Sequence, residues 1–254
     1  MKSIFTFILL FFCLTLHGQE RYVNIDGQKF RIKEYGVGEK TVIFESGMCD
    51  SLEAWGSIPD SVALFARVFL YDRADFGKSD TSRQKRTIPN IVLELKSILN
   101  HENICPPYIL VGHSMGGLIT RYFTSLFPSD VKGLLLLDPT PEAYVESLSK
   151  RDLKNFIKFC ADTVRITYHN TKYWKESDQL ISNLVYMKKL NISKDLPIIL
   201  VSASKTNLYK FQKEEIIGLK NARQIELIGG HYIYRDHTDL IVKYIKELTS
   251  LTKD

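Results

Sequence analysis

Tyr108-Ile-Leu-Val-Gly-His-Ser-Met-Gly-Gly-Leu118 is the stretch that decides the fold. Four strand-forming residues run into Gly112-His113-Ser114-Met115-Gly116. An apolar face at helical spacing follows at once, with Leu118, Ile119, Tyr122, Phe123 and Leu126, and Pro128 closes it. A serine on so sharp a strand-to-helix turn needs small residues two before and two after it, because the backbones crowd there. Gly112 and Gly116 supply that room, so the pentapeptide has the form of a nucleophile elbow. The turn exposes the Ser114 hydroxyl and leaves the Met115 amide at a helix start, where free N–H groups favour a developing negative charge.

Working outward, Arg21–Ile25 and Phe30–Tyr35 read as strands joined by the hairpin pair Asp26-Gly27. Thr41–Glu45 is a third strand, Ser57–Ala66 has helical spacing, and Val68–Tyr71 is a fourth. Ile91, Val92, Leu95, Ile98 and Leu99 give a helical face before Tyr108–Val111, the fifth strand. Gly133–Leu137 is a continuous apolar run, as in a strand buried on both faces. Strand alternating with helix at this spacing implies a mostly parallel sheet with helices on both faces. From Pro139 to about Leu196 the strands stop and only helical patterns appear. Pro197–Val201 and Gln224–Ile228 then resume the sheet, and Asp239–Leu248 is a last helix.

The first 18 residues have a different character. Lys2 opens them, Ile4 to Leu16 is a short apolar run, and Gly18 precedes a plausible cleavage point at Gln19. They are expected to be a signal peptide, leaving an exported protein with no stable membrane span. A hydrophobic fraction of 44% and a charged fraction of 25% suit an ordinary globular domain. The net charge of +5 is scattered, with no basic stripe interleaved with aromatics, so nucleic acid is not an expected partner. Cys49, Cys105 and Cys160 lie far apart, and neither a disulfide framework nor a zinc pattern follows.

The order of these parts resembles the α/β-hydrolase superfamily over nearly the whole chain after the leader. Four stretches carry the resemblance: Val42-Ile-Phe-Glu-Ser-Gly-Met48, Tyr71-Asp-Arg-Ala-Asp-Phe-Gly-Lys-Ser-Asp80, the elbow with its strand, and Gly230-His-Tyr-Ile233. The second departs from the family's turn only in placing Asp75 where glycine is usual, and Asp tolerates left-handed backbone. The resemblance implies a core of 19–138 and 197–254, with a helical cap, 139–196, inserted after the sixth strand. It makes Ser114 the nucleophile and His231, following the last strand, its base, with His237 as a rival. The family's usual acid position, after Pro197–Val201, reads Ser202-Ala-Ser-Lys-Thr-Asn207 and holds no carboxylate. Asp138 is the expected acid, placed after the preceding strand as in pancreatic-type lipases. Asn207 is the alternative. The Met48 amide is the expected second oxyanion donor beside that of Met115. Glu45 and Ser46 either line the site or are satisfied strand-end groups, and Arg73 with Asp72 is expected to tie its turn to its neighbours.

The expectation is an exported serine hydrolase acting on a small-molecule ester by a Ser-His-Asp acyl-enzyme route, with no metal or cofactor. A proline-iminopeptidase-like peptidase shares the plan. A non-catalytic ligand-binding protein on the same fold is the reading from another class. Ser114 disfavours the dehalogenases and epoxide hydrolases of this superfamily, which carry Asp at the elbow. The cap aromatics Tyr144, Phe156, Phe159, Tyr168, Tyr173, Trp174 and Tyr186 read first as packing.

Overall fold

The computed structural model describes residues 18–156, 158 and 174–251. Its strands are β1 (Arg21–Ile25), β2 (Gln28–Gly36), β3 (Thr41–Glu45), β4 (Arg67–Tyr71), β5 (Tyr108–His113), β6 (Val131–Leu137), β7 (Ile198–Ala203) and β8 (Ala222–Leu227). They form one sheet in the order β1-β2-β4-β3-β5-β6-β7-β8. β1 and β2 pair antiparallel, as do β2 and β4, and every other neighbouring pair is parallel. The antiparallel edge begins with the expected hairpin. Asp26 and Gly27 take φ 51° and 78°, the double left-handed turn that lets Ile25 face Gln28.

The strand period of two sorts the core into two layers. Ile43, Phe69, Leu110, Leu134, Leu136 and Leu200 face one side, where helices α2 (Ile88–His101) and α3 (Met115–Leu126) cover them with Ile91, Leu95, Leu118, Ile119 and Phe123. Phe44, Val68, Leu70, Val111, Leu135 and Val201 face the other. There α1 (Ile58–Ala63) and the C-terminal helix Thr238–Leu251 supply Ile58, Val62, Ile241, Ile245 and Leu248. Each such side chain taken fully out of water contributes about 1.5–3 kcal/mol. β5 and β6 lie inside this stack, each with a neighbouring strand on both sides.

Several boundaries move from their sequence expectations. The helix expected over Ser57–Ala66 is the shorter α1, Ile58–Ala63, and a 3-10 turn, Leu52–Trp55, precedes it, set off by Gly56 at φ 56°. β2, β6 and β7 each run one to three residues beyond the expected limits, and β8 is shifted toward its start. Between β6 and β7 the described residues form α4 (Glu142–Ser147), a helical stretch at 150–156 and the helix Trp174–Met187, with no strand. A short helix, Tyr209–Glu214, follows β7 and had no sequence signal. The expected leader, apart from Gly18, lies outside the described residues. So do Cys160, Phe159, Tyr168 and Tyr173 of the expected cap, and the Trp174 side chain. No helix among the described residues is long and apolar enough to cross a membrane.

Candidate active site

Ser114 sits between β5 and α3 with φ 53° and ψ −119°, a conformation that costs a non-glycine residue about 1–3 kcal/mol. Its surroundings leave no easier path. Ser114 N–H donates to the Leu137 carbonyl at 3.1 Å, while the Ser114 carbonyl accepts from Gly117 at 3.0 Å and Thr140 at 3.2 Å. The need for glycine on both flanks is steric. A Cβ on Gly116 would stand 2.1 Å from the Glu45 carbonyl oxygen, and one on Gly112 would stand 2.6 Å from the Gly116 carbonyl oxygen. The Ser114 hydroxyl lies 3.5 Å from the Thr140 hydroxyl, in the loop that leaves β6.

Asp138 follows β6 directly and is fully buried, in left-handed backbone at φ 41°. Its Oδ2 meets His231 Nδ1 at 2.7 Å. Its Oδ1 accepts from the Ala203 amide at 3.1 Å, the Thr206 hydroxyl at 3.2 Å and the Gln212 side-chain amide at 2.9 Å. Gln212, itself buried, also donates to the Pro139 carbonyl at 2.9 Å. The carboxylate is thus held by neutral donors, and its charge stays available to the imidazole. With Nδ1–H committed to Asp138, Nε2 of a neutral His231 carries the lone pair.

This geometry separates the sequence alternatives. Asp138 partners His231; the loop after β7, where Asn207 stands exposed, contributes Ala203 and Thr206 to the Asp138 carboxylate instead. His237 is turned elsewhere, its Nε2 2.9 Å from the Ile228 carbonyl oxygen. Glu45 is a satisfied strand-end group: Oε1 accepts from Arg73 and Oε2 from the Tyr71 hydroxyl, both at 2.7 Å. Ser46 takes the Trp55 indole N–H at 2.9 Å. Burial raises the Glu45 carboxyl above its ordinary range, against the pull of Arg73. Asp72 accepts from the Leu52 and Lys78 amides and from Arg31, tying the turn together as expected. Arg73 reaches further, to the carbonyls of Ser46 and Gly47, just ahead of Met48.

His113, the elbow residue just before Ser114, is packed against His231. Its buried ring lies 4.7 Å from the His231 ring, and its Nε2 is 3.0 Å from the His231 carbonyl oxygen. Burial lowers the pKa of its imidazole, so it serves as a neutral donor fixing the His231 backbone. A histidine next to the nucleophile was visible in the sequence, but its contact spans 118 positions and had no local sign. The cap aromatics that are described do pack: Tyr144 meets Phe156 and Phe211 edge-on at 6.2 and 5.5 Å, and Tyr122 meets Tyr186 at 6.4 Å. Among the described residues no group of three or more His, Cys, Asp or Glu is arranged to hold a metal ion.

Comparison with known proteins agrees with this architecture. A model of the alpha/beta hydrolase fold family matches residues 40–166, half of the chain. Uncharacterized protein YqjL of Bacillus subtilis (strain 168) is 38% identical over 121 residues, 47% of this chain and 48% of that protein. Protein phosphatase methylesterase 1 of Candida albicans (strain SC5314) is 30% identical over 139 residues, 52% of this chain and 38% of its own length. The chain therefore spans about half, or less, of the length of these curated relatives. Among solved structures, the enol-lactonase from Burkholderia xenovorans LB400 superposes with a TM-score of 0.70 at 14% identity, covering 91% of this chain and 100% of that one. A haloalkane dehalogenase variant from Bradyrhizobium elkanii gives 0.73 at 15% identity, covering 91% and 96%. Likeness at such identity speaks for the fold alone. On the family match, the elbow and the strand order together, the chain belongs to the alpha/beta hydrolase fold family.

Proposed function

We propose that the protein is an exported serine hydrolase that cleaves a small-molecule carboxylic ester through an acyl-enzyme. The observation that carries this reading is the 2.7 Å contact between His231 Nδ1 and the buried Asp138 carboxylate, at the edge of the sheet where Ser114 stands on a strained elbow. In this scheme Ser114 Oγ attacks the ester carbonyl carbon and its proton passes to His231 Nε2. Asp138 holds Nδ1–H in place and stabilises the imidazolium that results. The tetrahedral oxyanion lies at the Met48 and Met115 amides. Collapse expels the alcohol, which takes the proton from Nε2. Water then attacks the acyl-enzyme, Nε2 accepts its proton, and release of the acid returns the proton to Ser114.

No metal or cofactor enters these steps. Serine at the elbow favours this route over dehalogenase or epoxide-hydrolase chemistry, and a relative named as a methylesterase supports ester cleavage. The apolar leader before Gln19 supports export. The test is turnover of nitrophenyl esters over a series of acyl lengths. Wild-type protein hydrolyses them, and Ser114→Ala reduces kcat about a millionfold, as loss of a triad serine does. Equal rates for the two proteins would overturn the mechanism. N-terminal sequencing of the secreted form is expected to begin at or near Gln19, and a form retaining Met1 would overturn cleavage of the leader.

A further inference from the structure

Arg73 is 1% exposed, and each of its five N–H donors has an acceptor. Nη1 donates to Glu45 Oε1 and to the Ser46 carbonyl, both at 2.7 Å. Nη2 donates to the Gly47 carbonyl at 2.7 Å and to Glu176 Oε2 at 2.9 Å, and Nε donates to Glu176 Oε1 at 2.8 Å. Glu176 is fully buried in the first turn of Trp174–Met187, 103 positions away in the chain.

Two physical points give this arrangement a direction. A trans peptide is planar, with C=O and N–H on opposite edges. Drawing the Gly47 carbonyl onto Arg73 therefore turns the N–H of Met48, which shares that peptide, the other way. Second, a fully buried ion pair contributes little net stability, because taking both charges out of water offsets their attraction. Stability alone is thus a weak reason for a guanidinium held between two carboxylates at this spot. Its fork geometry, aimed at two consecutive carbonyls, is a means of setting an angle.

We propose that Arg73 is a positioning residue through which Glu176 sets the aim of the Met48 amide, so that this oxyanion donor is set by the Glu176–Arg73 contact itself and not by the general seating of the helix Trp174–Met187. The inference rests on the serine-hydrolase reading, in which Met48 N–H stabilises the tetrahedral intermediate. Glu45 holds the lower edge of Arg73, and Glu176 grips the upper edge in two-pronged fashion. Loss of the Glu176 charge leaves Nε or Nη2 facing an amide nitrogen and shifts the guanidinium, and with it the Gly47–Met48 peptide, whose carbonyl keeps the Asp50 amide at 3.3 Å as its other donor.

The experiment compares Glu176→Gln and Arg73→Lys with Asn183→Ala in the full chain. Asn183 lies on the same helix and ties it to the core, accepting the Ile88 amide at 2.9 Å and donating to the Arg86 carbonyl at 3.2 Å. Steady-state ester kinetics, melting temperature and inhibition by a trifluoromethyl ketone, which forms an oxyanion on the serine, are measured for each. Removing an oxyanion donor outright costs about 100- to 1,000-fold in kcat, so mis-aiming one is expected to cost about ten- to a hundredfold. Glu176→Gln and Arg73→Lys should lower kcat by that factor with KM changed less than about twofold, and weaken the ketone by the same factor, as a transition-state effect requires. Asn183→Ala should lower the melting temperature while keeping kcat and ketone affinity. Equal kcat losses in Glu176→Gln and Asn183→Ala, or a destabilised Glu176→Gln with unchanged kcat, would overturn the inference while leaving the hydrolase intact. A wild-type protein without ester turnover would overturn the reading beneath it.

Discussion

The two sides of Ser114 are built on opposite electrostatic principles. On the acid side one buried carboxylate, Asp138, is held by Ala203 N–H, Thr206 and Gln212, all neutral donors. On the oxyanion side one buried guanidinium, Arg73, is held by two carboxylates and two carbonyls. The difference follows from what each side has to present. In the proposed mechanism Asp138 keeps its negative charge for an imidazolium that forms during reaction, and a cation beside it would neutralise that charge beforehand. The proposed oxyanion loop has to present N–H groups, so its carbonyls are turned away, and a full positive charge is a strong means of holding them.

The largest expected effect breaks the acid side. Asp138→Asn keeps the shape but favours the wrong imidazole tautomer, and kcat for ester should fall about ten-thousandfold. Asn207→Ala should stay within about twofold of wild type. The reverse ranking would move the acid into the loop after β7.

That contrast also marks what the sequence could disclose. The elbow was legible because crowding at one turn dictates Gly112 and Gly116 locally, and His231 because it follows a strand and a glycine pair. The sheet was legible from alternating apolar runs, with errors confined to the ends of elements, where few residues contribute to the pattern. Asp138 was legible only in part: a carboxylate at the end of a buried strand is visible, but its partner lies 93 positions on. Gln212, Thr206, His113 and Glu176 left no trace of their contacts. Each acts through a hydrogen bond to a distant chain segment, and Gln212 sits on a helix of only six residues, too short for a periodic signal.

An intermediate effect sharpens the comparison. Gln212→Leu removes one charge-assisted hydrogen bond from Asp138, worth about 1.5–3 kcal/mol, so kcat should fall about ten- to a hundredfold while the fold is kept. A fall as deep as that of Asp138→Asn would mean that Gln212 does more than hold the carboxylate. An unchanged kcat would mean that Ala203 and Thr206 suffice.

The smallest effect on turnover is expected where the change bears on stability instead, at Glu215 and Glu142, which share Arg121 at 3.1 and 2.9 Å. Burial pushes the Glu215 carboxyl from 4.5 up to about 8, outweighing the attraction of Arg121. Folded protein therefore holds this proton over a range in which the unfolded chain has lost it. The resulting stability is fully present below pH 4.5 and is lost as the pH rises through about 8. Denaturant titrations at pH 5 and pH 8.5 should show wild type losing more stability than Glu215→Gln, which does not titrate. Equal losses would place the pH dependence elsewhere.

The central claim, that Ser114 is a nucleophile activated by the His231–Asp138 pair, is tested most directly by intact-mass spectrometry after treatment with a fluorophosphonate. The account predicts a single phosphonate adduct on the wild-type protein, mapped to Ser114, none on Ser114→Ala, and greatly slowed labelling of Asp138→Asn. An adduct on another residue, or equal labelling of wild type and Ser114→Ala, would contradict it.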